Sequence, residues 1–250
     1  MPKLSKEFIR LYHSNSGKLE KQERTKKYDF IRHIDKKYKN DKSRTLLDTA
    51  CGYDGIDDML KRKYKVTAID SDKKSIKTAK KRVAGISFIV ANMQKFNHTG
   101  KFDIIICIHG IDHGNELRHT LKRTLKHLNT QLNNGGILIF DLNFLKELWA
   151  QKITTTNIIQ SGREKYVQVY HQEVEDNDGL SYYVTIRLKR NKLYTETSTV
   201  RRSLHLLNLK KVKRMVIESG FDAFLYDGWN PNILKKVGKN APVFVCVKRK

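Results

Sequence analysis

Several polar residues sit where apolar runs end, and their types suggest cofactor chemistry. Leu46-Leu47 meets Asp48, and a small-residue turn follows, Ala50-Cys51-Gly52-Tyr53-Asp54-Gly55. Ala50-x-Gly52-x-x-Gly55 is a loose match to the turns that bring backbone close to a nucleotide. Asp70 comes 15 residues after Gly55, placed to hydrogen-bond ribose hydroxyls, with Ser71 beside it. Asn92-Met93 closes another run, where a side-chain amide can reach an adenine edge and the neighbouring backbone can add a second bond. Ile108, His113 and Asn143 follow two further runs.

The acids decide between nucleotides. A pyrophosphate places its charge at this turn, and Asp48 would repel it. S-adenosylmethionine has no phosphate and brings an ammonium and a sulfonium. An acid there then helps, which also makes Asp54 tolerable. A nicotinamide dehydrogenase is therefore a distant alternative.

These residues need a scaffold that gathers strand ends. Residues 18–39 carry Tyr28, Ile31 and Ile34 at helical spacing. Strands are expected at 45–47, 65–69, 86–90, 102–108 and 137–140. Helices are expected at 56–63, at 71–82 and at 116–132, the last broken by Asn133-Asn134-Gly135-Gly136. The rhythm implies an α/β, Rossmann-like, doubly wound and mostly parallel sheet. After Trp149 the pattern changes to extended segments at 165–175, 180–190 and 193–203, an antiparallel β insertion. A helix at 209–219 and strands at 221–226 and 243–248 complete a sheet of seven strands. The expected organisation is an N-terminal helical arm over the cofactor site (1–44), a core (45–149 and 204–250) and the insertion (150–203), covering substrate or contacting a second copy.

The order of features resembles that of class I S-adenosylmethionine-dependent methyltransferases. They are the turn after the first strand, the acid after the second, the polar residue after the third, then "FDIIIC" and "LNNGGILIFDLN". Within that superfamily, "ERTKKY" ahead of "LLDTACGYDG" resembles the glycine N-methyltransferase group and its small-molecule N-methyltransferase relatives. The resemblance implies that Arg24 clamps the cofactor carboxylate and that Tyr28 packs at the site. The turn departs from the family form at Tyr53-Asp54-Gly55: either Asp54 stands in for the third glycine, which would narrow the approach of backbone to cofactor, or one residue is inserted. The loop "CIHGIDHG" is about one residue short.

Methyl transfer is an in-line displacement that needs alignment, exclusion of water and a neutral nucleophile. His113, beyond the fourth strand, is the candidate base, with Asp112 or Glu116 to orient it. Its position resembles that of a His in related sugar-amine and glycine methyltransferases. The alternative is that it lines the cofactor pocket or caps a helix. His109 and His113 lie four apart, but Gly110 between them argues against a helical metal pair, and no metal is expected. Asn143 is the candidate substrate contact. Phe144, Tyr12, Tyr166, Tyr170, Arg201 and Trp229 are further possibilities.

Composition narrows the setting. Lys and Arg number 50 against 26 Asp and Glu, a formal charge of +24. The charge is dispersed, so a nucleic-acid partner is possible but not favoured. The three cysteines, Cys51, Cys107 and Cys246, form no framework. No signal-like or membrane-length apolar run is present, and a cytoplasmic protein is expected, with a homodimer possible. The reading is a methyltransferase acting on a small-molecule acceptor, at an amine nitrogen. Its rivals are an RNA methyltransferase and a non-catalytic S-adenosylmethionine-binding protein.

Overall fold

The computed structural model describes residues 6–53, 55–111, 115–151, 154–161, 164–175, 178–189, 192–196 and 202–249. The chain divides into two compact units, Arg24–Asn143 with Asn208–Lys250, and Met1–Glu23 with Phe144–Leu207.

The larger unit is built on seven strands: β1 (Thr45–Asp48), β2 (Lys65–Asp70), β3 (Ser87–Val90), β4 (Phe102–Cys107), β5 (Leu132–Asp141), β11 (Phe221–Tyr226) and β12 (Val243–Lys248). Their order is β11-β12-β5-β4-β1-β2-β3. β12 runs antiparallel between β11 and β5, and the other neighbours pair in parallel. Ile104, Ile105 and Ile106 of β4 are fully buried, as a central strand covered on both faces requires. Ile31 and Ile34 of α1 (Lys6–Lys39) join Leu46, Ile104, Ile106, Ile137 and Ile139 in one apolar cluster. α3 (Lys73–Arg82) adds Ile76 and Ala79 to it. The expected doubly wound α/β sheet is thus present.

The chain leaves β1 toward β2 and β3, and leaves β4 toward β5, in opposite directions across the sheet. The ends of β1 and β4 therefore flank a topological switch point, where ligands bind in this architecture.

Several boundaries differ from expectation. α2 is one turn only, Asp57–Leu60, followed by further turns rather than a helix to residue 63. Asn133–Gly136 do not break the chain before β5 but lie inside it. Gly135 takes φ +67°, and the pairing slips there, since Phe102 faces Leu132 while Ile104 faces Ile137. A bulge absorbs the residues that the sequence presented as a loop. α4 spans Asn115–Thr130 and α6 Leu209–Glu218.

The second unit is a sheet of order β10-β8-β7-β6, with β9 paired to β8. Its strands are β6 (Thr154–Ser161), β7 (Glu164–Glu175), β8 (Asp178–Lys189), β9 (Lys192–Glu196) and β10 (Arg202–His205). All its pairings are antiparallel. The short helix α5 (Lys146–Trp149) belongs to it. Trp149 lies against Gly179, where a Cβ would sit 2.6 Å from the indole.

Candidate functional site

The turn after β1 is fastened on both sides. Thr49 donates its backbone N–H and its hydroxyl to the Ile106 carbonyl, each at 3.0 Å, and Cys51 N–H donates to the Ile69 carbonyl at 3.1 Å. Gly52 has φ +56°, a left-handed conformation that glycine adopts freely. Its N–H donates to Asp70 Oδ2 at 2.9 Å, while Asp72 N–H donates to Asp70 Oδ1 at 2.8 Å. Asp70 thus holds the turn as well as ending β2, and each oxygen keeps a lone pair for a further donor. A Cβ on Gly55 would come within 2.6 Å of the Cys51 carbonyl oxygen.

Three acids gather beneath this turn. Asp48 is buried and accepts from Ala50 N–H at 3.1 Å. Asp57 is fully buried, and neither of its oxygens has an N–H or O–H partner among the described residues. Burial pushes the Asp48 carboxyl well above the usual range, with the Asp57 charge adding to it. Burial likewise pushes Asp57 up, to about 6, opposed by Arg82 and reinforced by Asp58. The two carboxyls face each other, and a buried pair of like charges resists double ionisation. Asp58 takes the nearby cations. Arg24 pairs with it directly, and Arg82 lies 4.0 Å away while donating to the Gly55 carbonyl at 3.0 Å. Arg24, expected to clamp a carboxylate, is thus engaged with Asp58, and its Nε is buried with no hydrogen-bond partner among the described residues.

The loop after β4 closes on the turn. A Cβ on Gly110 would lie 2.4 Å from the Ala50 Cβ, 2.7 Å from Cys107 Sγ and 3.3 Å from Met93 Cε. Only glycine lets these strand ends meet so closely. Met93 and Ile108 are partly buried here, Ile108 against the core cluster. Asn92 accepts from Gln94 N–H at 2.8 Å and so shapes the turn after β3. Ser71 is exposed beside Asp70. Tyr28 packs against the core cluster from α1.

Among the described residues, His109 stands at this edge. It has φ +55°, which is uncommon away from glycine. Its N–H donates to Asp141 Oδ1 at 2.7 Å, and its ring Nδ1 lies 3.2 Å from Asp141 Oδ2. Asp141 ends β5 and is nearly fully buried. Lys27 Nζ lies 3.2 Å from His109 Nε2, and Asn143 Nδ2 is 3.5 Å from Nδ1. Asn143 therefore belongs to the same edge as the cofactor turn. His113, Asp112 and Asp54 lie outside the described residues, as do Arg201 and the side chains of Tyr12, Glu116 and Tyr166. Trp229 is buried edge-on against Phe30, with centroids 5.5 Å apart, and reads as core. Tyr170 donates to Gln172 at 2.8 Å within the second unit. No metal-binding group of three acids, cysteines or histidines occurs among the described residues.

Sequence reasoning passed over Asp57, Arg82, Gly110, Asp141 and Lys27. Asp141 had a legible signal, an acid ending an apolar run. Lys27 stands one helical turn from Arg24. The others depend on tertiary depth.

Residues 46–136 match the family model described as "Methyltransferase domain". The fold is shared with solved methyltransferases at low identity. An amino pentose methyltransferase from Micromonospora echinaspora, solved with S-adenosylmethionine bound, has a TM-score of 0.76 at 13% identity, covering 99% of each chain. An S-adenosylmethionine-dependent methyltransferase from Clostridium acetobutylicum gives 0.70 at 18%, covering 97% of this chain and 99% of that one. A sugar N-methyltransferase from Streptoalloteichus gives 0.68 at 14%, covering 90% and 87%. No curated protein matches the chain. The methyltransferase-domain match over residues 46–136, together with this fold, supports an enzyme that transfers methyl groups. Its turn fits S-adenosylmethionine: buried acids suit a cation-bearing cofactor, and Asp70 stands at the end of β2.

Proposed function

We propose that this methyltransferase moves a methyl group from S-adenosylmethionine to an amine nitrogen of a small molecule. The observation that carries the reading is the buried acid pair Asp48 and Asp57 beneath the turn. Such a site disfavours a pyrophosphate and suits an ammonium. Asp70 would take the ribose, Asn92 and Met93 the adenine end, and Ala50, Gly52 and Gly55 the close backbone approach. Ser71 and Ile108 would line the same groove. Arg24 would reach the cofactor carboxylate by exchanging Asp58 for it, with Tyr28 alongside. Asn143 would contact the acceptor. His113 would line the cofactor pocket. The cofactor supplies an electrophilic methyl on a positively charged sulfur, so the protein needs to position a neutral nucleophile and exclude water.

The amine acceptor is supported by the similarity to a sugar N-methyltransferase and an amino pentose methyltransferase. The test is release of S-adenosylhomocysteine with amino sugars, ethanolamine and glycine, against their N-acetylated forms. The expected result is turnover with free amines, each product heavier by one methyl. Equal release with and without amines would overturn the acceptor class.

A further inference from the structure

We infer that His109, oriented by Asp141, is the base that takes the proton from a primary alkylammonium acceptor, and that Lys27 marks where that acceptor's nitrogen stands. The inference rests on the reading of this edge as an amine methyl-transfer site.

The ring is unusually well determined. Asp141 accepts from the His109 backbone N–H with one oxygen, at 2.7 Å, and faces ring Nδ1 with the other, at 3.2 Å. One buried carboxylate thus fixes both the left-handed backbone at φ +55° and the imidazole. Backbone in that region persists where its surroundings over-determine it, and such places concentrate at functional sites. The carboxylate also selects the tautomer. With the hydrogen on Nδ1 facing Asp141 Oδ2, the Nε2 lone pair points outward, and Asn143 Nδ2 at 3.5 Å from Nδ1 is too far to compete strongly for it.

Nε2 then meets Lys27 Nζ at 3.2 Å. An ammonium donates and cannot accept, so this contact requires Nε2 to be the acceptor. A primary alkylammonium on the basic nitrogen of a carboxylate-held imidazole is the arrangement an amine acceptor needs before it reacts. Lys27 belongs to α1, on a long flexible stem, with its nitrogen 6.0 Å from the centroid of the Trp229 ring. It can yield its place by swinging aside. The charged groups described against the ring are Asp141 from β5 and Lys27 from α1.

The proton accounting is closed. The acceptor N–H bond breaks and a bond from hydrogen to Nε2 forms. The amine keeps the electron pair with which it attacks, and Asp141 balances the imidazolium. The His109 side chain is 51% exposed, so the proton then leaves to water. The need is real: an alkylamine with an ordinary pKa near that of Lys is neutral in only about one molecule in a thousand near pH 7.5.

The test uses the full chain labelled with nitrogen-15 in histidine, as parent, His109→Gln, Asp141→Asn and Lys27→Met. Calorimetric titration with S-adenosylmethionine accompanies each protein, and His109→Gln is expected to bind within about twofold of the parent. The His109→Gln spectrum assigns the ring. The parent ring is expected as the Nδ1–H tautomer, and Asp141→Asn is expected to remove that preference. Lys27→Met is expected to shift Nε2, and methylammonium to reverse the shift. With ethanolamine, glycine and glucosamine as acceptors, His109→Gln is expected to lower kcat/KM about 100-fold. Asp141→Asn is expected to lower kcat about tenfold and to move the acid limb of the pH profile, an effect a merely structural residue would not have. An Nε2–H parent tautomer, or full turnover by His109→Gln, overturns this inference alone. A parent that binds the cofactor yet turns over no amine overturns the amine reading and this inference together. A parent that does not bind the cofactor overturns the cofactor assignment.

Discussion

Asp57 brings two carboxylate oxygens into the interior beside the equally buried Asp48. Burial raises it to about 6, so folding favours its protonated form. That contribution is fully present below the ordinary carboxylate value and is lost as pH rises through about 6. Above pH 6 the folded chain holds a carboxylate that burial penalises, on the order of 1–3 kcal/mol. Asp57→Asn should therefore raise the melting temperature at pH 8, with the advantage shrinking to nothing near pH 4. It should also weaken S-adenosylmethionine at least tenfold. Thermal melts across pH, paired with calorimetry, check both. A variant with unchanged stability at pH 8 would show that the acid is not held charged there. At this scale the strand-end acids Asp48 and Asp70 were legible, because each ends an apolar run. Asp57 was not, since nothing in one turn of sequence reports how deep that turn lies. His109 was weighed only as a metal ligand, because its partner Asp141 lies on the neighbouring strand and the contact exists only once β4 and β5 pair.

The two loops that end β1 and β4 meet without room for one more carbon. Gly110→Ala would drive its Cβ to 2.4 Å from that of Ala50. The expected cost is about 1–3 kcal/mol, from overpacking. Cofactor affinity should fall with it, because the turn itself must move. Differential scanning calorimetry and cofactor titration would reveal this, and unchanged values in both would refute the close packing. The order of elements was readable from apolar runs bounded by turn residues. Two misreadings have physical causes. Asn133–Gly136 looked like a break, but a bulge with a left-handed glycine carries the chain on as β5. β6 escaped notice because "TTTNIIQS" shows little alternation, and its pairing with β7 supplies what its own sequence lacks.

The whole chain carries a formal charge of +24. Like charges at this density repel one another in the compact state, and salt screens them. The melting temperature should therefore rise between about 20 and 200 mM NaCl, where the Debye length falls from about 20 Å to under 10 Å. A flat response would mean the charge is already neutralised locally. One cationic hollow, of about 470 Å³, is lined by Lys122, Lys210, Lys211, Arg214, Met215 and Glu218. Glu218 already engages Lys122 and Arg214 there. Such a surface binds polyanions loosely, so any RNA affinity should collapse over the same salt range, with no methylated RNA formed. No helix among the described residues is long and apolar enough to cross a membrane.

The most direct measurement is calorimetric titration with S-adenosylmethionine and S-adenosylhomocysteine, with NAD as the control and Asp70→Ala beside the parent. The account predicts micromolar binding of both adenosyl compounds, no heat with NAD, and at least tenfold weaker binding by Asp70→Ala. NAD binding, or an Asp70→Ala variant that binds S-adenosylmethionine as tightly as the parent, would contradict it.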